Sequence, residues 1–403
     1  MAIWLIVLVT ALTHTSFKGR KVLISLYAIE LGANPFEIGV LFAMYSMFPI
    51  VLSIYAGRVA DRFGARAPMV FGACGLSAGL LLPFLFPGLA ILYVSATLIG
   101  MCYIFYVVTV QNLVGSIGEG HARTRNYSIF SLGVALTALF GPMTAGFSID
   151  LIGHRYTYLL LAAVPVAPIV ALLSFSKLLP RVKRNAGERH GQRLADLVKD
   201  RPLRRALMTA GIIETGLELF NLFLPIYGHS IGLTASQIGL CMGSFAVALL
   251  LVRTLMPWLA RHMSEEGVLS ASLFLAAATC LVFPFVKSFG LLALVAFVLG
   301  LGLGCGSPLS MILAFNRAPP GRSGEAIGLR QTVNKATEMA MPLVFGFLGT
   351  ALGMIPVFWL DAVLLAWGAA LMRKDAEAGP RGAQVVSQPG AAAPDKAPRG
   401  DRA

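Results

Sequence analysis

The chain has 403 residues, 57% of them hydrophobic and 13% charged, with a mean hydropathy of +0.77, a formal net charge of +13 and a pI of about 9.8. That balance lies outside the range of soluble globular domains and marks an integral membrane protein. Five cysteines, Cys74, Cys102, Cys241, Cys280 and Cys305, stand singly inside apolar stretches, a pattern that speaks for packing residues and against a metal centre or a disulfide framework.

A bilayer core of about 30 Å takes about 20 apolar residues per helix. Twelve such segments follow in order: 2–31, 36–57, 67–87, 89–117, 127–149, 156–176, 206–231, 235–259, 267–286, 289–316, 323–350 and 352–372. Long apolar runs without period-two alternation predict helices rather than a barrel. Met1-Ala2-Ile3-Trp4 enters the first segment with no basic leader and no small-residue cleavage site, so that segment is expected to be a retained helix. The expected organisation is an N-terminal six-helix bundle over 1–176, a basic cytoplasmic central loop over 177–205, a C-terminal six-helix bundle over 206–372 and a disordered cytoplasmic tail over 373–403.

Loop charges predict the orientation, because Lys and Arg are retained on the cytoplasmic side. The loop after the sixth segment carries Lys177, Arg181, Lys183, Arg184, Arg189, Arg193, Lys199, Arg201, Arg204 and Arg205. Loops on the same side add Arg58, Arg62, Arg66, Arg123, Arg125, Arg261, Arg317 and Arg322, against little more than Arg155 and Lys287 opposite. Both termini are therefore expected in the cytoplasm, with the protein in the plasma membrane, the inner membrane of a Gram-negative cell. The same bias accounts for the net charge, so lipid headgroups rather than nucleic acid are the expected partners of the basic loop.

The two bundles repeat at an offset of 200 positions: Tyr27 matches Tyr227, Gly32 matches Gly232, Ile38-Gly39 matches Ile238-Gly239, Gly100 matches Gly300, and Pro142 and Gly146 match Pro342 and Gly346. Matched halves suggest a pathway between them. Between the second and third segments stands Gly57-Arg58-Val59-Ala60-Asp61-Arg62-Phe63-Gly64-Ala65-Arg66. This run resembles the signature loop of the major facilitator superfamily, and the resemblance extends over both halves, residues 1–372. It implies an all-α fold of two pseudo-symmetric six-helix bundles, with Gly57, Asp61, Arg62, Gly64 and Arg66 in a cytoplasmic gating latch; an ordinary basic anchor is the plainer reading. The matching stretch of the second half, Pro257-Trp258-Leu259-Ala260-Arg261-His262, lacks the Asp. Gly133, Gly141-Pro142 and Ala145-Gly146 are similar to the fifth-helix motif of antiporters in that superfamily, although Thr137 and Ala145 replace usual glycines and a close helix crossing would use the same residues. Ala96 occupies the place where drug–proton antiporters carry an Arg.

Charged residues interrupt three spans. His14, Lys18, Lys21 and Ser25 share one face of the first helix, and Glu214, Glu218 and Asn221 lie at matching positions of the seventh. A charge at the bilayer centre costs at least about 2.5–3.5 kcal/mol, so basic residues on one repeat facing acidic ones on its mate suggest compensation. Glu214, Glu218 and His14 are the proton-coupling candidates, with protonation of Glu218 releasing Lys18 or a cationic substrate; a permanent ion pair holding the halves in register is the alternative. His14, between Thr13 and Thr15, could instead bond locally, and Arg20 is expected to reach outward or pair with Glu30. The eleventh helix adds Arg330, Asn334 and Glu338 along one face, with Gln331 and Lys335 alongside. There Arg330 could hold an anionic or carbonyl-bearing substrate, with Glu338 offsetting Arg330 or Arg253. Lys18, Lys21, Asn221, Tyr103, Tyr106, Arg330, Asn334 and Glu338 are the substrate-pathway candidates, and Gln111 and Asn112 lesser ones; internal pairing at the interface between the halves is the alternative for the eleventh-helix set, aromatic core packing is the expected role of at least one of Tyr103 and Tyr106, and Asp361 has no assigned role.

The expected function is secondary active transport by alternating access: export of a small organic molecule against protons, with no cofactor, no metal and the proton gradient as energy source. Uptake of an organic anion with protons, and a membrane receptor that has lost transport, are the alternatives. No Walker-type loop, nucleophile elbow or His/Cys metal cluster points to a pump or an enzyme. A monomer is the expected working unit, and no residue encodes substrate or direction.

Overall fold

The computed structural model describes residues 2–117, 120–174, 199–319 and 322–377, and every described segment is helical or a short connection. The helices are α1 (Ala2–Glu30), α2 (Pro35–Phe63), α3 (Arg66–Leu85), α4 (Leu89–Ser116), α5 (Gly120–Ala163) and α6 (Val166–Ser174) in the first half. The second half holds α7 (Arg201–Ser230), α8 (Ala235–His262), α9 (Glu265–Val282), α10 (Phe289–Gly304), α11 (Gly306–Asn316), α12 (Ser323–Leu352) and α13 (Met354–Glu377). Gly153, at φ 78°, breaks α5 into two limbs that cross the membrane in opposite directions, and α10 and α11 form one crossing interrupted at Cys305. Twelve crossings result.

Nine described stretches are long and apolar enough to span a bilayer, and one of them, 129–174, holds two crossings. The two remaining crossings are α1 and α12, two of the three helices whose apolar sequence is interrupted by charge. Lipid-facing large side chains such as Val51, Leu151 and Val363 are more than half exposed, as the outer surface of a membrane bundle requires.

The offset of 200 governs local structure as well. Gly32 and Gly232, at φ 82° and 81°, end equivalent turns after α1 and α7. Asn34 with Glu37, and Thr234 with Gln237, form the capping boxes that start α2 and α8. Gly100 packs on the Tyr45 carbonyl, and Gly300 on the Phe245 carbonyl, each without room for a Cβ.

Two boundaries differ from the sequence reading. α7 begins at Arg201, with Asp200 at its N-cap and Pro202 in its first turn, so Arg201, Arg204 and Arg205 are helical rather than part of the central loop. α13 continues to Glu377, past the expected start of the tail at 373, because Asp375 is held by Arg205 and, at 2.8 Å, by Arg317. The basic loop residues between 177 and 198 and the tail beyond 377 lie outside the described residues.

Candidate functional site

The halves meet most closely at the end of the bundle away from the termini. There α2 crosses α12 and α5 crosses α8, and both crossings rest on glycine. A Cβ on Gly39 would lie 2.2 Å from the Pro342 carbonyl oxygen, and one on Gly346 would lie 2.7 Å from that of Pro35. In the matching crossing, a Cβ on Gly146 would lie 2.4 Å from the Ala235 oxygen, and one on Gly239 would lie 2.7 Å from the Pro142 oxygen. Backbone therefore touches backbone, which only glycine permits.

Each crossing also carries a helix cap from the opposite half. Asp150 accepts the N–H of Ala235 at 3.1 Å and of Ser236 at 2.8 Å, and Thr350 accepts the N–H of Phe36 at 3.0 Å. Positions 150 and 350 are again 200 apart. A carboxylate on two free N–H groups at the start of α8 gains from both the hydrogen bonds and the helix dipole. Sequence reasoning missed both residues, although the repeat-matched glycines around them were visible.

Below this contact lies the ion network. Lys21 of α1 reaches across to Glu218 of α7 at 2.9 Å, and both side chains are at most 10% exposed. Asn221 donates a second bond to the same Glu218 oxygen at 3.3 Å, from one turn further along α7. The partner of Glu218 is thus Lys21, not Lys18. Lys18, half-buried, forms no hydrogen bond or ion pair among the described residues, yet lies within electrostatic reach of Lys21, Glu338, Glu218 and Lys335. Glu214, one turn nearer the termini, is half-buried and likewise unbonded, near Glu218, Glu338, Lys335 and Lys21. On α12, Lys335 pairs with Glu338, which corrects the expectation that Glu338 offsets Arg330 or Arg253. Asn334 keeps a buried side-chain oxygen without a partner.

Several expected pathway residues are instead built into one half. Arg330 is 3% exposed; it donates from Nε to Ser310 Oγ at 3.1 Å and from Nη2 to the Ser307 carbonyl at 3.0 Å, pinning α12 to α11. His14 Nδ1 bonds the Tyr103 hydroxyl at 2.6 Å, tying α1 to α4, while Thr13 and Thr15 back-bond to their own helix. Tyr103 stacks on Phe17, with centroids 4.1 Å apart, and Tyr106 donates to Thr10 at 3.2 Å. Tyr103 and Tyr106 are thus buried in the packing between α1 and α4, the role expected of at least one of them. Arg20 does not reach outward either: it is 2% exposed, and Glu30 is taken by His154.

The fifth-helix glycines serve two neighbours. A Cβ on Gly141 would lie 2.7 Å from the Lys18 Cβ and 2.8 Å from the Gly19 nitrogen, so Gly141 seats α1 beside the pathway, whereas Gly146 with the Pro142 carbonyl meets α8. In the signature loop, Gly64 ends α2 at φ 77°, Gly57 stands near Val108, and Arg62 lies exposed against Phe63. Arg66 donates to the Leu173 carbonyl at 2.7 Å within its own half. The Asp61 side chain lies outside the described residues. On the same side Arg317 binds Glu266 at 3.0 Å as well as Asp375, knitting the second half to itself. Gln111, Asn112, Gln331 and Lys335 are exposed, whereas the far end is held by the glycine crossings. Among the described residues no group of three or more His, Cys, Asp or Glu is placed to hold a metal, and all five cysteines are free.

Comparison with known proteins adds the family. The model of the Major Facilitator Superfamily matches residues 6–214 and again 206–394. The chain is 24% identical over 365 residues to the multidrug resistance protein MdtG of Dickeya zeae (strain Ech586), covering 87% of this chain and 88% of that protein. It is 20% identical over 345 residues to the quinolone resistance protein NorA of Staphylococcus aureus (strain MSSA476), covering 84% and 88%. A structure of a mutant of the peptide transporter POT superposes with a TM-score of 0.79 at 15% identity, over 93% of this chain and 94% of the other. The chain belongs to the Major Facilitator Superfamily and is a multi-pass membrane transporter of small molecules, not an enzyme.

Proposed function

We propose that this transporter exports a small organic molecule from the cell in exchange for protons, by alternating access, with the proton gradient as its energy source. The observation that carries the reading is the buried Lys21–Glu218 pair, the ionic bridge between α1 and α7, 2.9 Å long and placed just inside the far-side contact. A proton on Glu218 cancels its charge and leaves Lys21 buried without a counterion, a state far costlier than the pair. Proton binding there therefore favours separation of the halves at the far end. Glu214, unbonded and one turn nearer the termini, is the relay between Glu218 and the terminal side.

The positive loop bias supports cytoplasmic termini, which puts the glycine-held contact between the halves on the opposite face of the membrane. Relatives named for drug resistance support export. A cationic or neutral molecule held near Glu214 and Glu218 competes with the proton for the same carboxylates, and that competition is the basis of exchange. Lys18 favours a second reading, proton-linked uptake of an organic anion, because an amine without a carboxylate partner can receive one from a substrate.

The test exposes efflux-deficient bacteria to pooled metabolites and amphipathic drugs, and compares cell contents by mass spectrometry for vector, wild type and Glu218→Gln. Depletion by wild type and not by the variant is the expected result. Enrichment would select the uptake reading, and identical wild-type and variant contents would make Glu218 a structural charge only.

A further inference from the structure

One cation on α1 lies within electrostatic reach of Glu338 and Glu218 but forms an ion pair with neither. Arg20 is 2% exposed, and its guanidinium carbon sits 3.6 Å from the centroid of the Tyr45 ring and 3.9 Å from that of Phe17. Two ring faces attract a cation, and the Tyr45 hydroxyl also interacts with the guanidinium. Its Nε–H has no partner. The neighbouring carboxylates are committed elsewhere: Glu30 to His154, Glu218 to Lys21 and Glu338 to Lys335. At about 100° per residue, Arg20 points roughly 200° round the helix from Lys18, into the first half rather than toward the second.

Two more buried groups lack a partner in the same region. Ser16 Oγ lies one turn back along α1 from Arg20, and the Tyr158 hydroxyl, on the second limb of α5, is within electrostatic reach of both Arg20 and Tyr45. The chemistry of the missing partner follows from the donors. A guanidinium can only donate, and both hydroxyls can donate as well, so the gap needs an acceptor. Water would accept the hydrogen bonds but leave the guanidinium without an anion in direct contact in the bundle core. An anion does both.

We propose that Arg20, Tyr158 and Ser16 form a buried binding site for a small free monoanion, a halide or a small carboxylate, inside the first half. The site rests on the unpartnered groups of the first half and not on proton coupling at Glu218.

Thermal unfolding of the purified full-length protein in detergent tests it, with chloride or acetate replacing bulky gluconate at fixed ionic strength. The midpoint of wild type is expected to rise with chloride and saturate, since a ligand that binds only the folded state stabilises it. Arg20→Gln should lose the response. Tyr158→Phe, which removes one hydroxyl and keeps the ring, should need about tenfold more anion and covers the case in which Arg20→Gln does not accumulate. A rise with acetate but not chloride would assign the site to small carboxylates rather than halides. Equal responses from wild type and the variants, or no response to either anion, would overturn the proposal.

Discussion

Breaking the Lys21–Glu218 bridge should open the far side of the transporter, and by an amount the geometry bounds. At 2.9 Å the bare attraction is about 6 kcal/mol for an effective dielectric constant near 20. Desolvation of two charges that are at most 10% exposed offsets part of that, so the pair itself stabilises little. Removing one partner is another matter, because the survivor stays buried and unpaired at a cost of about 3–5 kcal/mol. Glu218→Gln should therefore shift the equilibrium between far-side-closed and far-side-open forms by about a hundredfold to a few thousandfold. Lys21→Met should do less, since Glu218 can take a proton. The double variant Lys21→Met with Glu218→Leu should return most of the way to wild type. Spin labels at Ala33 and Leu233, on matched far-side turns of the two halves, report the distance distribution by pulsed electron resonance. An unchanged distribution in Glu218→Gln, or strictly additive effects in the double variant, would refute the argument.

The close crossings give a steric counterpart. Gly39→Ala places a methyl group 2.2 Å from the Pro342 carbonyl oxygen, and Gly146→Ala places one 2.4 Å from that of Ala235, so each should prevent far-side closure and abolish flux while surface expression stays within twofold or so of wild type, read by the same spin labels and by efflux. Arg330→Gln removes the pin on Ser307 and Ser310 at a cost of at least about 2 kcal/mol; it should lower the unfolding midpoint and leave substrate affinity unchanged, whereas a selective loss of affinity would return Arg330 to the pathway. Lys18→Gln should spare export of a cationic or neutral drug and abolish accumulation of an organic anion, measured in the same mass-spectrometric screen.

The twelve crossings, the division into halves and the repeat were legible in the sequence, because apolar length and a fixed offset are properties of one strand of text. The polar stripes of α1 and α7 were legible too. Which amine meets Glu218 was not: Lys18 and Lys21 differ by about 60° around the helix, and the choice depends on how α1 is rotated against α7. Arg20 was misplaced because its aromatic clamp is half supplied by Tyr45 of α2, which no pattern on α1 announces. Arg330 was misplaced for a similar reason, since its acceptors stand on α11, just past the break at Cys305. Asp150 and Thr350 match in position but not in chemistry, so a search for identical residues at the offset passes over them.

That mismatch has a mechanical consequence. Parts that only need to fit are duplicated between the halves, as Gly39 with Gly239 and Gly146 with Gly346 are. Charges cannot be duplicated across a shared interface, because like signs would repel; hence Lys21 and Lys18 on α1 against Glu218 and Glu214 on α7. The far-side caps fall between these cases. Asp150 holds two N–H groups with a full charge, worth about 1.5–3 kcal/mol for each bond to a charged group, while Thr350 holds one with a neutral hydroxyl worth about 0.5–2 kcal/mol. The α5–α8 contact should therefore yield last, and the halves should part by swinging about it, with the α2–α12 edge moving more. Label pairs at Phe36 with Phe347 and at Ser236 with Phe147 are related by the same offset and measure the two edges separately. In Glu218→Gln the first distance should lengthen more than the second, and adding Asp150→Asn should make the two changes equal. Equal lengthening with Asp150 intact would mean that the caps carry no weight in opening and that the glycine crossings alone hold the far side shut.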